Sequence, residues 1–364
     1  MKQRIWDVIV VGGGLCGFTA ARRLAQQGQR VTILEARDRS GGRILTVRDT
    51  SSLGEFELGP AWFWPEHRHV QSLMKELGIP AFEQWSNGEA LTDRGVSETP
   101  QPLQSVEMLF PARIAGGVHR LIEGLAAHLP TNTVQLSTVV QAIRQTDNEI
   151  EVEAMQSGTS VVLHAQHVIV TLPPRLAAES LQFEPALPEE VRAVMLATQT
   201  WMGQAMKVVL VYESAFWRRS GLSGLAVSQV GPVEQFLDHT PFGERCGALF
   251  GWIGNHSPAR LWSSETRREQ VIEQAVRIFG EEALEPLHYA EMNWAQQPFT
   301  CRPGALVEES EHPLYGHGLL QVPQMSGRLH WAGSEISPIH GGYLDGAIAV
   351  GEQVAKRLTR IDNS

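Results

Sequence analysis

Cysteine is nearly missing from this 364-residue chain: Cys16, Cys246 and Cys301 are an odd three, with no CxxC and no Cys/His cluster at zinc-like spacing. A disulfide framework and a structural zinc site are therefore excluded, and no metal is expected. A basic surplus is missing too. Thirty Lys and Arg against 40 Asp and Glu give a formal net charge of −10, which argues against non-specific binding to nucleic acid or to an anionic membrane. No apolar run approaches the roughly 18 residues of a membrane span, and the opening MKQRIWD leads into a strand without signal-peptide architecture. The expected location is the cytoplasm. Tyrosine is scarce, 4 against 10 tryptophans, and there are 34 glycines. That balance suits flat apolar surfaces beside tight turns, hence a planar ligand. The length and the 43% of hydrophobic residues suffice for a buried core and point to two domains.

The first strong pattern is local. Val8–Val11 is a β-branched run fit for a buried parallel strand, and Gly12, Gly14 and Gly17 follow at GxGxxG spacing before a helix bearing Phe18, Ala21, Leu24 and Ala25 on one face. A second strand, Arg30–Leu34, ends at Glu35. This βαβ unit has the parts of a dinucleotide site. Gly12 permits the turn, Gly14 admits a pyrophosphate to the backbone, Gly17 allows close helix packing, and Glu35 is placed to hold ribose hydroxyls.

Asp38–Arg43 (DRSGGR) follows at once, and near the other end His330–Gly346 reads HWAGSEISPIHGGYLDG before an amphipathic helix over Ala347–Leu358. Together these segments resemble the flavin amine oxidase family, in a short, soluble, bacterial-type form. The resemblance implies a two-dinucleotide-binding, Rossmann-like FAD domain with an interleaved α+β substrate domain, the amine oxidase/p-hydroxybenzoate hydroxylase-like α/β architecture. The FAD domain is expected to be discontinuous, from 1–60, 112–173 and 322–364, with 61–111 and 174–321 forming the substrate domain. The resemblance also assigns non-covalent FAD to Gly12, Gly14, Cys16, Gly17, Glu35, Ala36, Arg37, Gly42, Arg43, Gly59, Pro60, Ala61, Val139, Trp294, Gly333, Ser334, Glu335, Gly342 and Tyr343. Arg43 is expected on the pyrophosphate, Val139 or its neighbour Val140 beside the adenine, and the Gly341–Gly342 pair to leave room for the flavin ring. In the middle, Val134–Arg144 and Ile150–Val162 read as two strands with a turn near Asp147 and Asn148, and His167–Pro174 as a strand returning to the dinucleotide fold.

Lys207 stands out because it interrupts the apolar strand Met206–Tyr212, and an unpaired buried ammonium is costly. In the family a lysine at this place, followed by the same aromatic pair (here Phe216 and Trp217), holds a water against flavin N5. Lys207 and Tyr343 are thus the expected catalytic residues, Tyr343 as one wall of an aromatic cage for the substrate nitrogen. The second wall has no matching tyrosine; the stretch after Trp294 offers Phe299 and Arg302. Trp62, Phe299 and His340 are expected to meet substrate. Cys301 lies where some members bond the flavin covalently, but at different spacing. Trp62 and Phe63 occupy the place of the carboxylate-clamping arginine of amino-acid oxidases, which disfavours an amino-acid substrate, and Glu66 is a candidate for attracting a cationic amine tail.

The expected reaction is hydride transfer from the carbon next to nitrogen to flavin N5. The resulting imine hydrolyses to aldehyde or ketone plus amine or ammonia, and O2 is reduced to hydrogen peroxide. The expected partner is a small-molecule amine, with no nucleic acid and no membrane. A short segment between Trp64 and Pro111 implies an open site, which would suit a bulky substrate, a protein partner that completes the pocket, or weak activity on small amines. Two other readings stay open: a carbon–carbon desaturase or oxidase of a bulky apolar substrate, and an accessory flavoprotein with little turnover.

Overall fold

The computed structural model describes residues 5–48, 54–96, 98–103, 111–243, 245–301 and 312–361. The opening run forms β1 (Ile5–Val11), whose last four residues are buried, as a strand covered on both faces must be. Gly12, at φ +109°, turns the chain into α1 (Leu15–Gln26), and β2 (Val31–Leu34) returns parallel to β1 with Val8 opposite Val31 and Val11 opposite Leu34. After α2 (His119–Ala126) come β3 (Thr138–Gln145), β4 (Ile150–Gln156) and β5 (Thr159–Val170), an antiparallel meander. The single strand expected over Ile150–Val162 is two strands: Ser157 and Gly158, both at positive φ, make the tight turn that splits it. The far half of β5 runs parallel to β1.

A second sheet contains β6 (Met206–Tyr212), β7 (Val233–Asp238), β8 (Gly247–Ile253) and β9 (His288–Asn293), in the spatial order β9, β6, β8, β7, Leu222–Ser228, Glu89–Asp93, Gln101–Pro102. Every residue of β6 is buried, and alternation divides them between two faces. Met206, Val208 and Leu210 pack with Val271 and Ala275 of the helix Ser264–Phe279, while Val209 and Val211 pack with Phe56 and Leu58. Lys207 shares the parity of the second set. It therefore points towards the dinucleotide half of the molecule.

The chain then closes on itself. β10 (Leu329–Trp331) joins β5 in parallel, and α3 (Leu344–Ile361) lies along α1. The first sheet thus runs Val134–Gln135, β2, β1, β5, β4, β3, Gln182–Glu184, with β10 also on β5. The sequence suggested a boundary at 173/174. Ala177, Leu181, Val191 and Met195 belong to the core of the first sheet, and so do Val70, Leu73 and Met74 of the helix Arg68–Leu77. Among the described residues, no helix is long and apolar enough to cross a membrane.

Candidate functional site

A cavity of about 650 Å³ lies between the two sheets. One end is made by the βαβ unit and the closing motif. Gly12, Gly14, Cys16, Glu35, Ala36, Arg37, Gly42, Arg43, Val139, Gly333, Ser334 and Gly342 all line the cavity. A Cβ built on Gly14 meets nothing within 4 Å, whereas one on Gly17 would sit 2.2 Å from the Gly12 carbonyl oxygen. So Gly14 keeps open space at the start of α1 and Gly17 permits close packing behind it, the division of labour the spacing implies. Glu35 is buried; its Oε2 accepts the Gly13 N–H at 2.7 Å and its Oε1 the Arg37 N–H at 2.9 Å. The start of a helix, a fixed carboxylate and a slot beside Val139 fit a dinucleotide.

Arg43 reaches across the fold. It pairs with buried Glu335 through two contacts, 2.7 Å and 2.9 Å, and donates to Ser334 Oγ at 3.1 Å and the Trp201 carbonyl at 3.2 Å. Glu335 does not line the cavity; it holds Arg43 from behind. Cys16 also joins the two ends, accepting the Gly333 N–H on its Sγ at 3.2 Å, and burial pushes its thiol up to about 12. That thiol is inert packing.

The other end of the cavity is lined by Gly59, Pro60, Ala61, Trp62, Trp64, Gln84, Trp201, Met202, Lys207, Gln235, Leu237, Trp252, Trp294 and Tyr343. Lys207 of the second sheet and Trp294, just past the end of β9, grip the consecutive carbonyls of Leu58 and Gly59: Trp294 Nε1 donates to Leu58 at 2.8 Å and Lys207 Nζ to Gly59 at 2.6 Å. Gly59 must be glycine, since a Cβ there would meet the Arg43 carbonyl oxygen at 2.3 Å. Burial pushes Lys207 down to about 7, opposed by the negative charge of Glu57. Its Nζ lies 4.4 Å from the Trp252 ring centroid. In register, Lys207 faces Trp252, which faces Gln235, so these three side chains form one row along the sheet.

The structure redistributes the other expected residues. Tyr343 lies 5.9 Å from Trp64 and 5.4 Å from His67, ring to ring, and the ring stacked on it is His312, at 5.0 Å and 4° between planes. Phe299 lines the cavity and lies under the Arg37 guanidinium at 5.7 Å, beside Thr300, whose hydroxyl accepts from Arg37 at 2.8 Å. His340 does not line the cavity. Its Nδ1 is 2.9 Å from Asp345 Oδ2, and Asp345 Oδ1 accepts the N–H groups of His69 and Val70, so His340 braces a helix start. The space beside Gly341 and Gly342 is taken up by Tyr315 and Trp201: added Cβ atoms would meet Tyr315 at 2.6 Å and Trp201 at 3.1 Å. Cys301 donates to the Gly203 carbonyl at 3.3 Å and does not line the cavity. Glu66 is exposed and outside the cavity, and Arg302 lies outside the described residues.

Sequence reasoning passed over Trp201, Gln235, Trp252 and His312. Trp252 and Gln235 reach the site only through strand register, and no local signal marks them. Trp201, five residues before the lysine strand, offered the one usable hint, a large aromatic in a Thr-Met-Gly loop.

The sequence matches the family described as flavin containing amine oxidoreductase over residues 15–112 and 98–359. It is 24% identical to a protein named "Probable flavin-containing monoamine oxidase A" from Dictyostelium discoideum, over 97% of each chain. It is 26% identical to a flavin-containing amine oxidase from Oncorhynchus mykiss, over 98% of this chain and 86% of the other. The fold is similar to that of putrescine oxidase bound to putrescine (TM-score 0.80, 21% identity, 98% of this chain and 100% of the other). It is likewise similar to cyclohexylamine oxidase from Brevibacterium oxydans IH-35A (TM-score 0.81, 19% identity, 99% and 100%).

Proposed function

Because the chain belongs to the flavin containing amine oxidoreductase family and is an FAD-dependent amine oxidoreductase, we propose that it oxidises a small monoamine with an apolar body, using O2 as the electron acceptor. Bound FAD supplies the two-electron acceptor for the hydride leaving the carbon next to nitrogen, and the released imine hydrolyses in water. The chain's own part is positioning and desolvation. Gly14, Glu35, Val139 and Arg43 would hold the cofactor, and the absence of Cys301 from the cavity lining supports non-covalent binding.

At the other end, the faces of Tyr343 and Trp64 attract an ammonium, while the surrounding indoles of Trp62, Trp201 and Trp252 exclude water and so favour the neutral amine that the reaction needs. Lys207, anchored on the Gly59 carbonyl, is the group we assign to holding a water and a proton beside the reacting face.

The observation that carries the choice of a monoamine is the charge of the lining. Among the described residues its one acid is Glu35, at the cofactor end and held by Gly13 and Arg37. Among the described residues, the substrate end therefore offers no carboxylate for the second ammonium of a diamine. Nor does it offer an arginine for an amino-acid carboxylate among the described residues. An anaerobic titration of the yellow protein with arylalkyl and alicyclic monoamines, diamines, polyamines and amino acids tests this. The flavin band is expected to bleach with the monoamines. Bleaching by diamines alone would overturn the substrate assignment, and a band stable to every amine would favour an accessory or carbon–carbon oxidising role.

A further inference from the structure

Glu57 is 3% exposed and stands two residues before the carbonyl that Lys207 binds. Nothing in the reaction above uses it. Its Oε1 accepts the Val118 N–H at 2.7 Å, at the start of α2, and the Thr46 hydroxyl lies 2.9 and 3.0 Å from its two oxygens. That hydroxyl in turn accepts the His119 N–H at 3.0 Å, so its own proton is free to point at Glu57. Gly117 makes the room: a Cβ there would come within 2.9 Å of Glu57 Oε1. Donors alone converge on this side chain, which is how a carboxylate, not a carboxylic acid, is held.

The other charged and titratable groups packed around it are matched elsewhere. Arg113 donates to the Thr240 carbonyl at 2.8 Å and the His239 carbonyl at 3.2 Å. Asp238 takes Arg218 at 2.8 and 3.0 Å, Trp217 Nε1 at 2.9 Å and the Thr240 N–H at 2.9 Å. His239 accepts the Glu57 N–H on Nε2 at 3.0 Å, and burial with the nearby Arg113 and Lys207 charges holds it neutral.

We infer that Glu57 is the positioning residue for the charge on Lys207: fixed by Thr46 and the start of α2, its carboxylate keeps the proton on the Lys207 amine from behind the Gly59 segment. Burial works against both partners, pushing Glu57 up to about 7 and Lys207 down to about 7. For Glu57 the Val118 N–H and the Thr46 hydroxyl oppose that push first, then the Arg113 and Lys207 charges; for Lys207 the opposing charge is Glu57. Only the consequence for turnover rests on the reading of Lys207 given above; the pairing itself does not.

The chain has four lysines, Lys2, Lys75, Lys207 and Lys356, so lysine labelled with 13C gives a spectrum in which Lys207 is assigned by its loss in Lys207→Met. Its Cε shift is followed against pH, with FAD bound and after FAD removal. Glu57→Gln is expected to lower the Lys207 midpoint by about one pH unit or more, a tenfold or greater loss of proton affinity. Glu57→Asp should restore part of it. Thr46→Val keeps the acid but loosens its hold, should lower the midpoint in the same sense, and serves if Glu57→Gln does not fold. A Lys207 midpoint unmoved in a folded variant would overturn the pairing. A lowered midpoint with unaltered flavin reduction and reoxidation would uphold the pairing and remove Lys207 from the chemistry.

Discussion

Lys207→Met should make the cofactor-free protein more stable at mildly acidic pH while impairing the enzyme. Burial takes the lysine from its usual 10.5 down to about 7, and each unit corresponds to about 1.4 kcal/mol. The native state binds the proton less tightly than the unfolded chain, so the penalty is complete below pH 7 and fades as pH rises towards 10.5. It amounts to about 4–5 kcal/mol at pH 6 and about 1–2 kcal/mol at pH 9.5. Methionine fills much of the same space, but it strands the Gly59 carbonyl, which returns about 1–3 kcal/mol of destabilisation at every pH. The net expectation is a gain of about 2–4 kcal/mol at pH 6 that shrinks by about 3 kcal/mol by pH 9.5. Loss of the attraction for Glu57 acts in the same direction, because without the Lys207 charge that acid is harder to ionise, a cost that grows as pH rises. Thermal melting of both apo proteins at pH 6, 7.5 and 9.5 reads the difference. A variant that melts lower than wild type at pH 6, or a Tm gap that stays constant over that range, would refute the reasoning.

Gly14→Val separates folding from cofactor binding. The residue has φ −85°, and an added Cβ meets no protein atom, so the apo Tm should hold. FAD affinity should fall about a hundredfold if two charge-assisted hydrogen bonds of about 1.5 kcal/mol each are lost, as read by equilibrium dialysis against flavin absorbance; retained affinity would mean that the pyrophosphate lies elsewhere. Tyr343→Ala should slow anaerobic flavin reduction by a monoamine about tenfold, the worth of a partly desolvated cation–π contact, with the ratio of flavin to protein absorbance unchanged. Loss of FAD instead would identify Tyr343 as packing for the cofactor.

The parts of the fold that could be read from the sequence are those whose causes lie close together in it. β1, its glycines and α1 specify one another within about twenty residues, and the last helix shows its apolar stripe directly. Lys207 was legible because a charge in a run of Val and Leu contradicts its surroundings. Its neighbours were not: Trp252 and Gln235 meet it through the register of β6, β8 and β7, which hydrophobic alternation leaves free to slide by two residues. The partnership of Arg43 with Glu335 spans 292 positions, and His312 on Tyr343 follows from how a loop without periodicity settles. Phe299 lines the cavity beside Arg37, and His340 falls outside the lining, for a related reason. A ring near the right motif has the right chemistry for several positions, and only packing chooses among them.

The tie between Cys16 and Gly333, like that between Arg43 and Glu335, has a bearing on biosynthesis. The glycine loop leaves the ribosome some three hundred residues before the segment that closes over it, at about 5–20 residues per second. In the first part of that interval β1 lacks β5 on one side, and in the second β5 lacks β10, so unpaired strand edges are displayed by a nascent chain that has no finished cofactor slot. FAD should therefore be captured after synthesis, when β10 and α3 have docked, and flavin supply would set the yield of mature protein without altering the order in which its parts assemble.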